Sequence, residues 1–235
     1  MSRAILIALL AASVPVVGVD TPGTVPITYE VVAVDGRLFL ELESEPRRLN
    51  PGDRPVSGDR LRTGSSSAAT LGVPSYTTVF RLDSKTTCTL AHDRPGVLLH
   101  VERGRLRAMF GSYSGTDPRI VTTPSAVLAV RGTDYGLKVK KNGDTRLVVF
   151  DGVVEAIDPT GTRPPVRVEA GQQTRIRPGR TAETPEPHRL TPNEWNRGFD
   201  APAPGTGPDG GAPGGQSGSP GAGQRSGGGS KRRGG

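Results

Sequence analysis

Residues 121–135 read VTTPSAVLAVRGTDY, and the fold is decided by how this stretch is parsed. Pro124 restricts the residue before it to extended backbone, so Thr123-Pro124 sets an extended entry. The run from Ala126 to Val130 is short, apolar and β-branched, without the three-and-four spacing of a helix face. Gly132 interrupts it at a place where the chain must turn, since glycine tolerates positive φ. From Tyr135 to Val139 the apolar pattern resumes with Leu137 and Val139 two apart, the mark of a strand with one buried face. This parsing predicts two short strands, 126–130 and 135–139, hinged at Gly132.

The same pattern extends outward in both directions. Asp35-Gly36 lies between the runs 27–34 and 37–42, and Asn142-Gly143 and Asp151-Gly152 separate further runs; such dipeptides are hairpin signals. Strands are predicted at 68–73, 77–82, 86–90, 97–101, 105–110 and 119–122, then at 145–150, 153–157, 166–168 and 173–176. Many short strands at this spacing predict a single all-β domain, either a sandwich or β-solenoid-like. One short helix is expected at 192–198. There Thr191, Pro192 and Glu194 form a capping box with proline at the first helical position. Trp195 and Phe199 would share a face of it, either clamping the chain end onto the β domain or offering an aromatic ligand platform.

Composition agrees. Of 235 residues, 33% are hydrophobic and only 4% aromatic, so the core must be thin and aliphatic. Glycine (33) and proline (22) are concentrated at the end, with 14 Gly and 5 Pro in residues 201–235. That segment cannot bury enough apolar surface to offset chain entropy, and a disordered tail is expected there. No Gly-X-Y period runs anywhere, which excludes collagen. A helical bundle does not suit this glycine and proline content, and one apolar run alone approaches spanning length, which excludes a polytopic membrane protein.

That run opens the chain. Met1-Ser2-Arg3, the apolar stretch Ala4 to Ala12 and the small residues near Ser13, Pro15 and Gly18 have the layout of a secretory signal peptide. Cleavage is expected after Gly18, with Ser13 second, which leaves no integral membrane segment and an extracytoplasmic location, periplasmic or secreted. Cys88 is the only cysteine, so no internal disulfide forms, and within Thr86-Thr87-Cys88-Thr89-Leu90 it reads as a small buried hydrophobe. His92, His100 and His188 are widely spaced and offer no metal site.

The net charge is +7, of which Arg3 contributes one and residues 201–235 three, leaving +3 on residues 19–200. Arg and Glu alternate there as on a solvated surface, and no basic stripe interleaved with aromatics suggests nucleic acid. Gly205-Thr206-Gly207-Pro208-Asp209-Gly210 matches the dinucleotide fingerprint formally, but it lacks the flanking strand and helix that give the pattern meaning. Gly111-Ser112-Tyr113-Ser114-Gly115 has tyrosine where a nucleophile elbow needs serine.

In order along the chain, several further motifs carry a resemblance. Leu49-Asn50-Pro51-Gly52-Asp53 and Val56-Ser57-Gly58-Asp59-Arg60-Leu61-Arg62-Thr63-Gly64 come first, followed by Thr123-Pro124, Arg131-Gly132-Thr133, the glycine-ended strand at Gly152 and Glu169-Ala170-Gly171-Gln172. Over residues 27–178 this resembles the FecR-like domain. The signature Thr123, Pro124, Arg131, Gly132, Thr133, Gly152 and Gly171 reads as structural: the glycines turn the chain, and Arg131 either pins its turn or holds a ligand. The resemblance implies an extracytoplasmic β domain that works through protein contacts, without catalysis and without a cofactor. Family members of the ferric-citrate type are transmembrane regulators that relay transporter occupancy to a sigma factor. With its apolar segment beginning at residue 4, the chain is expected to be without their cytoplasmic N-terminal region and spanning helix, and that control is not expected to carry over. The expected organisation is a signal peptide (1–18), the β domain (24–178), a connector with the short helix (179–200) and the tail (201–235). The expected partner is an envelope protein; the alternative is a module that contacts wall polymer, glycan or lipid, through the Trp195 region and the basic tail.

Overall fold

A computed structural model describes residues 27–91, 96–112 and 119–197. The signal-peptide and tail readings lie outside these residues, as do His92, Tyr113 and Phe199.

The described residues form one continuous sheet of fourteen strands and one short helix. The N-terminal strands are β1 (Glu30–Asp35), β2 (Leu38–Glu41), β3 (Arg47–Leu49), β4 (Arg60–Thr63), β5 (Ala68–Val73), β6 (Thr78–Leu82) and β7 (Thr87–Leu90). They are followed by β8 (Val97–Phe110), β9 (Arg119–Thr122), β10 (Val127–Val139), β11 (Thr145–Ile157), β12 (Val166–Glu169), β13 (Gln172–Ile176) and β14 (Glu186–Pro187), and then the helix α1 (Pro192–Asn196). Every pairing is antiparallel except β8 with β9.

The short-strand reading is corrected at three places. The runs 97–101 and 105–110 are one strand, as are 126–130 with 135–139 and 145–150 with 153–157. Gly104, Gly132 and Gly152, at φ of 111°, 52° and 76°, therefore bend long strands internally instead of separating short ones. Each bend is a bulge. In β8 the buried set moves from Val97, Leu99 and Val101 to Leu106, Ala108 and Phe110; in β10 it moves from Leu128 and Val130 to Tyr135, Leu137 and Val139. In β11 it moves from Leu147 and Val149 to Val154 and Ala156. One extra residue at each bend reverses the parity of the strand, so the same face stays inward while the strand turns a corner.

The corner is sharp. In the β10–β11 ribbon, Val127 pairs with Ile157 at one end and Val139 with Thr145 at the other. A straight ribbon of that length would separate its ends by about 40 Å. Yet Ser125 Oγ, just beyond the first end, donates to Thr145 Oγ1 at the second at 2.8 Å. The ribbon is doubled over, and the sheet with it. The result is the single all-β domain expected, made from one sheet that folds over on itself. One half of each long strand lies in each layer: β8 pairs with β7 and β9 in its first half, then with β6 and β10 in its second.

The enclosed core is aliphatic, as the composition requires, around a small aromatic group. Phe80 meets Phe110 edge-on at 5.9 Å, and Phe110 stacks on Tyr135 at 5.9 Å. The sequence reading passed over β3 and β4, whose Arg47-Arg48-Leu49 and Arg60-Leu61-Arg62-Thr63 offer only Leu49, Leu61 and Thr63 to the core.

Candidate functional site

The signature residues build the fold's corners and one end. Thr123 starts the turn into β10: its Oγ1 accepts from the backbone N–H of Ala126 at 3.0 Å, and its own N–H donates to Ala126 O at 2.8 Å. Thr145 Oγ1 donates to Thr123 Oγ1 at 3.1 Å, so with Ser125 these buried hydroxyls tie the two layers together. Pro124 lies against the Gly143 turn. At the bend, the pin expected of Arg131 belongs to Thr133. Its Oγ1 lies 3.0 Å from Arg131 O and 3.1 Å from Val153 O, whereas Arg131 itself is exposed and its guanidinium has no partner among the described residues. Gly152 sits under this corner with no space beside it, since a Cβ there would lie 2.5 Å from Gly132 O. Gly171 turns β12 into β13 at φ 80° and donates its N–H to Val149 O at 2.9 Å.

Two further candidates have settled places. Cys88 is fully buried in the core, and burial pushes its thiol up to about 12, which keeps it protonated and inert. Trp195 is 5% exposed and lies flat over Gly136 on the outer face of the sheet, its Nε1 donating to Leu106 O at 3.1 Å. The guanidinium of Arg105 is 5.5 Å from its ring, and Phe150 is 6.1 Å away. Thr191 and Glu194 form the capping box of α1. Trp195 is thus the clamp of the chain end, and it has no free face to serve as a ligand platform. Among the described residues no three His, Cys, Asp or Glu side chains group closely enough to hold a metal ion, and no helix is long and apolar enough to cross a membrane.

The feature that sequence reasoning missed is electrostatic. Across the outer face, Arg105 of β8 stands opposite Lys138 of β10, Lys138 opposite Arg146 of β11, and Arg146 opposite Arg175 of β13. Like charges directly opposite one another destabilise a sheet. The ends of this row are compensated, Arg105 by Asp83 and Arg175 by Asp144, each at 2.5 Å. The pairing with Arg175 holds the Asp144 carboxyl below the usual carboxylate range. Elsewhere Arg60 and Arg62 share Glu41, and Arg60 also bonds Glu102, whose carboxyl is lowered by that contact. Lys138 forms no ion pair with a carboxylate among the described residues, nor do Lys85, Arg103 and Lys141, while Lys140 interacts at longer range with Asp144.

These cations surround a cleft of about 750 Å³ between the Gly104 bend, the β6–β7 turn and the β10–β11 hairpin. Its walls carry Arg62, Lys85, Arg103 and Arg105 on one side and Lys138, Lys140 and Lys141 on the other, against Asp83 as the one carboxylate. Residues 19–200 carry only +3 in all, so the rest of that segment is net negative. Charge that the sequence suggested was intermixed is in fact sorted in space. Lys138 and Lys140 also border a second cleft of about 480 Å³, which Asp144, Glu183 and Glu186 make far less positive. Period-two alternation, which places Lys138 of β10 on the face opposite Leu137 and Val139, was the only signal available beforehand.

Among curated proteins none matches the chain. Two crystal structures of a candidate anti-sigma factor from Parabacteroides distasonis ATCC 8503 are similar at 17% identity with a TM-score of 0.46, over 55% of this chain. The match spans 59% of that protein's chain, less than two thirds of its length. The model of the family described as FecR protein matches residues 59–155, the segment that runs from β4 through the three bent strands. Residues 59–155 are therefore a FecR-like domain.

Proposed function

We propose that this protein is an exported, non-enzymatic interaction or sensing module of the cell envelope, and that its outer face is the contact surface. The observation that carries the reading is the combination of a FecR-like domain with an outer face on which Lys138, Lys85, Arg103 and Lys141 form no ion pair with a carboxylate among the described residues. The signature residues other than Arg131 are consumed by corners and by the Thr123–Ser125–Thr145 tie, which leaves the exposed sheet face for recognition. Complementary charge on a partner would steer encounter and fix register on such a face. The layout of residues 1–18 supports export, and an exported chain would meet its partner in the envelope.

The test is cross-linking of the mature protein in native envelopes followed by purification. A specific envelope protein should be recovered repeatedly, and recovery of none would refute the proposal. The competing reading, a module that contacts wall polymer through the Trp195 region and the basic tail, has less support because the Trp195 ring packs on Gly136 and Phe150; the tail lies outside the described residues.

A further inference from the structure

We infer that the cleft beside the Gly104 bend is a binding site for an acidic, extended polypeptide segment of the partner. This rests on the interaction-module reading and names the surface and the chemistry of its occupant. Three observations on the cleft point the same way. First, Lys138, Lys141, Lys85 and Arg103 converge on one space without an ion pair to a carboxylate among the described residues, and Lys140 joins them from the side that faces Asp144. Second, Lys138 is held between Arg105 and Arg146 by strand register, so the site keeps its charge whatever the rotamers do. An anion docked there removes a repulsion built into the sheet, and the attraction is larger for it. Third, the site is concave and about 750 Å³ in volume, within the range of ligand clefts, where a bilayer surface would require a flat or convex face.

The occupant follows from what lines the walls. Guanidinium forks and ammonium groups match carboxylates. Ser65 and Ser84 add hydroxyls at the rim that can meet a peptide backbone. The cleft presents no aromatic face on which a sugar ring could lie, because Trp195 is buried under the chain end. An extended segment with carboxylates on alternate residues would present them all to one side, toward the ridge formed by Lys138 and Lys140.

The test uses the full chain and a fluorescein-labelled peptide alternating glutamate and serine, with a glutamine-for-glutamate peptide as control, read by anisotropy at low salt. The chain should bind the acidic peptide, lose it as salt rises, and ignore the glutamine peptide. Lys138→Glu with Lys140→Glu should weaken binding roughly tenfold or more. Because the same change relieves the Arg105–Lys138–Arg146 repulsion, its melting temperature should hold or rise. A merely structural role for these lysines would lower both. The variant keeps residues 201–235, so unchanged affinity would assign binding to the basic tail and overturn the proposal. Absence of peptide binding, or binding of long-chain polyphosphate or phosphatidylglycerol vesicles instead of peptide, would overturn it as well. If the charge-reversed chain still cross-links to the same envelope protein as wild type, the module stands and this surface falls. If wild type cross-links to none, the module reading itself falls.

Discussion

Gly136→Ala should release the C-terminal clamp from the sheet. In a strand interior this substitution ordinarily stabilises by roughly 0.5–1 kcal/mol, because alanine has less freedom to lose. Here a Cβ would lie 2.4 Å from Trp195 Cε2 and 2.7 Å from Cδ2 and Cζ2, inside any real contact distance. Neither side can yield readily. Gly136 is locked in register between Arg107 and Val148, and the indole is held by its bond to Leu106 O. If the ring leaves, the protein loses the burial of a tryptophan, worth about 3–5 kcal/mol by analogy with large-to-alanine truncations. A hydrogen bond worth about 1 kcal/mol goes with it. Trp195 is the only tryptophan in the chain, so its fluorescence reports this site alone. Gly136→Ala should red-shift the emission, expose the ring to acrylamide and lower the melting temperature by an amount close to that of Trp195→Ala. In the Trp195→Ala background the same glycine substitution should become neutral or stabilising, a reversal of sign that isolates the contact. Wild-type emission and melting in Gly136→Ala would refute the packing argument.

The bends can be tested by contrast: both Gly132 and Gly152 have positive φ, but nothing lies within 4 Å of a Cβ at Gly132. Gly132→Ala should cost about 1–2 kcal/mol, the left-handed penalty, and Gly152→Ala clearly more, as measured by chemical denaturation. Tyr135→Phe should leave stability unchanged or raise it, because the buried Tyr135 hydroxyl has no hydrogen-bond partner among the described residues; a lower melting temperature would show otherwise. Stability should fall at both pH extremes. Glu102 and Asp144 are held low by Arg60 and Arg175, so what they contribute is present above the ordinary carboxylate range and is lost as pH drops below about 4. Cys88 is raised from 9.0 to about 12, so the unfolded chain ionises first and stability declines as pH climbs between those values. Cys88→Ala should flatten that part of the alkaline limb in denaturation curves taken across pH.

Strands 68–73 and 119–122 were readable to the residue because each is bounded by turn chemistry and fills one layer. Strands β8, β10 and β11 were cut in two because a glycine with positive φ looks the same from the sequence whether it reverses a chain or bends it. The distinction is made by partners: Gly152 fits beneath Gly132 O only when two strands kink together. The cleft was invisible for a related reason. Its cations run from Arg62 to Lys141 along the chain, diluted by acidic residues that end up elsewhere.

The sequence by itself determined that this chain makes a thin aliphatic β domain with glycine corners, because alternation, turn residues and capping chemistry are local and act over a few residues. It also carried the order of motifs that marks the FecR-like domain. Only the tertiary structure decided that the corners lie inside strands, that Trp195 closes over Gly136, and that Arg105, Lys138, Arg146 and Arg175 stand in one row. Each of these depends on strand register and on a doubled sheet, which bring together residues far apart in the chain, and no local pattern encodes the sum of their charges.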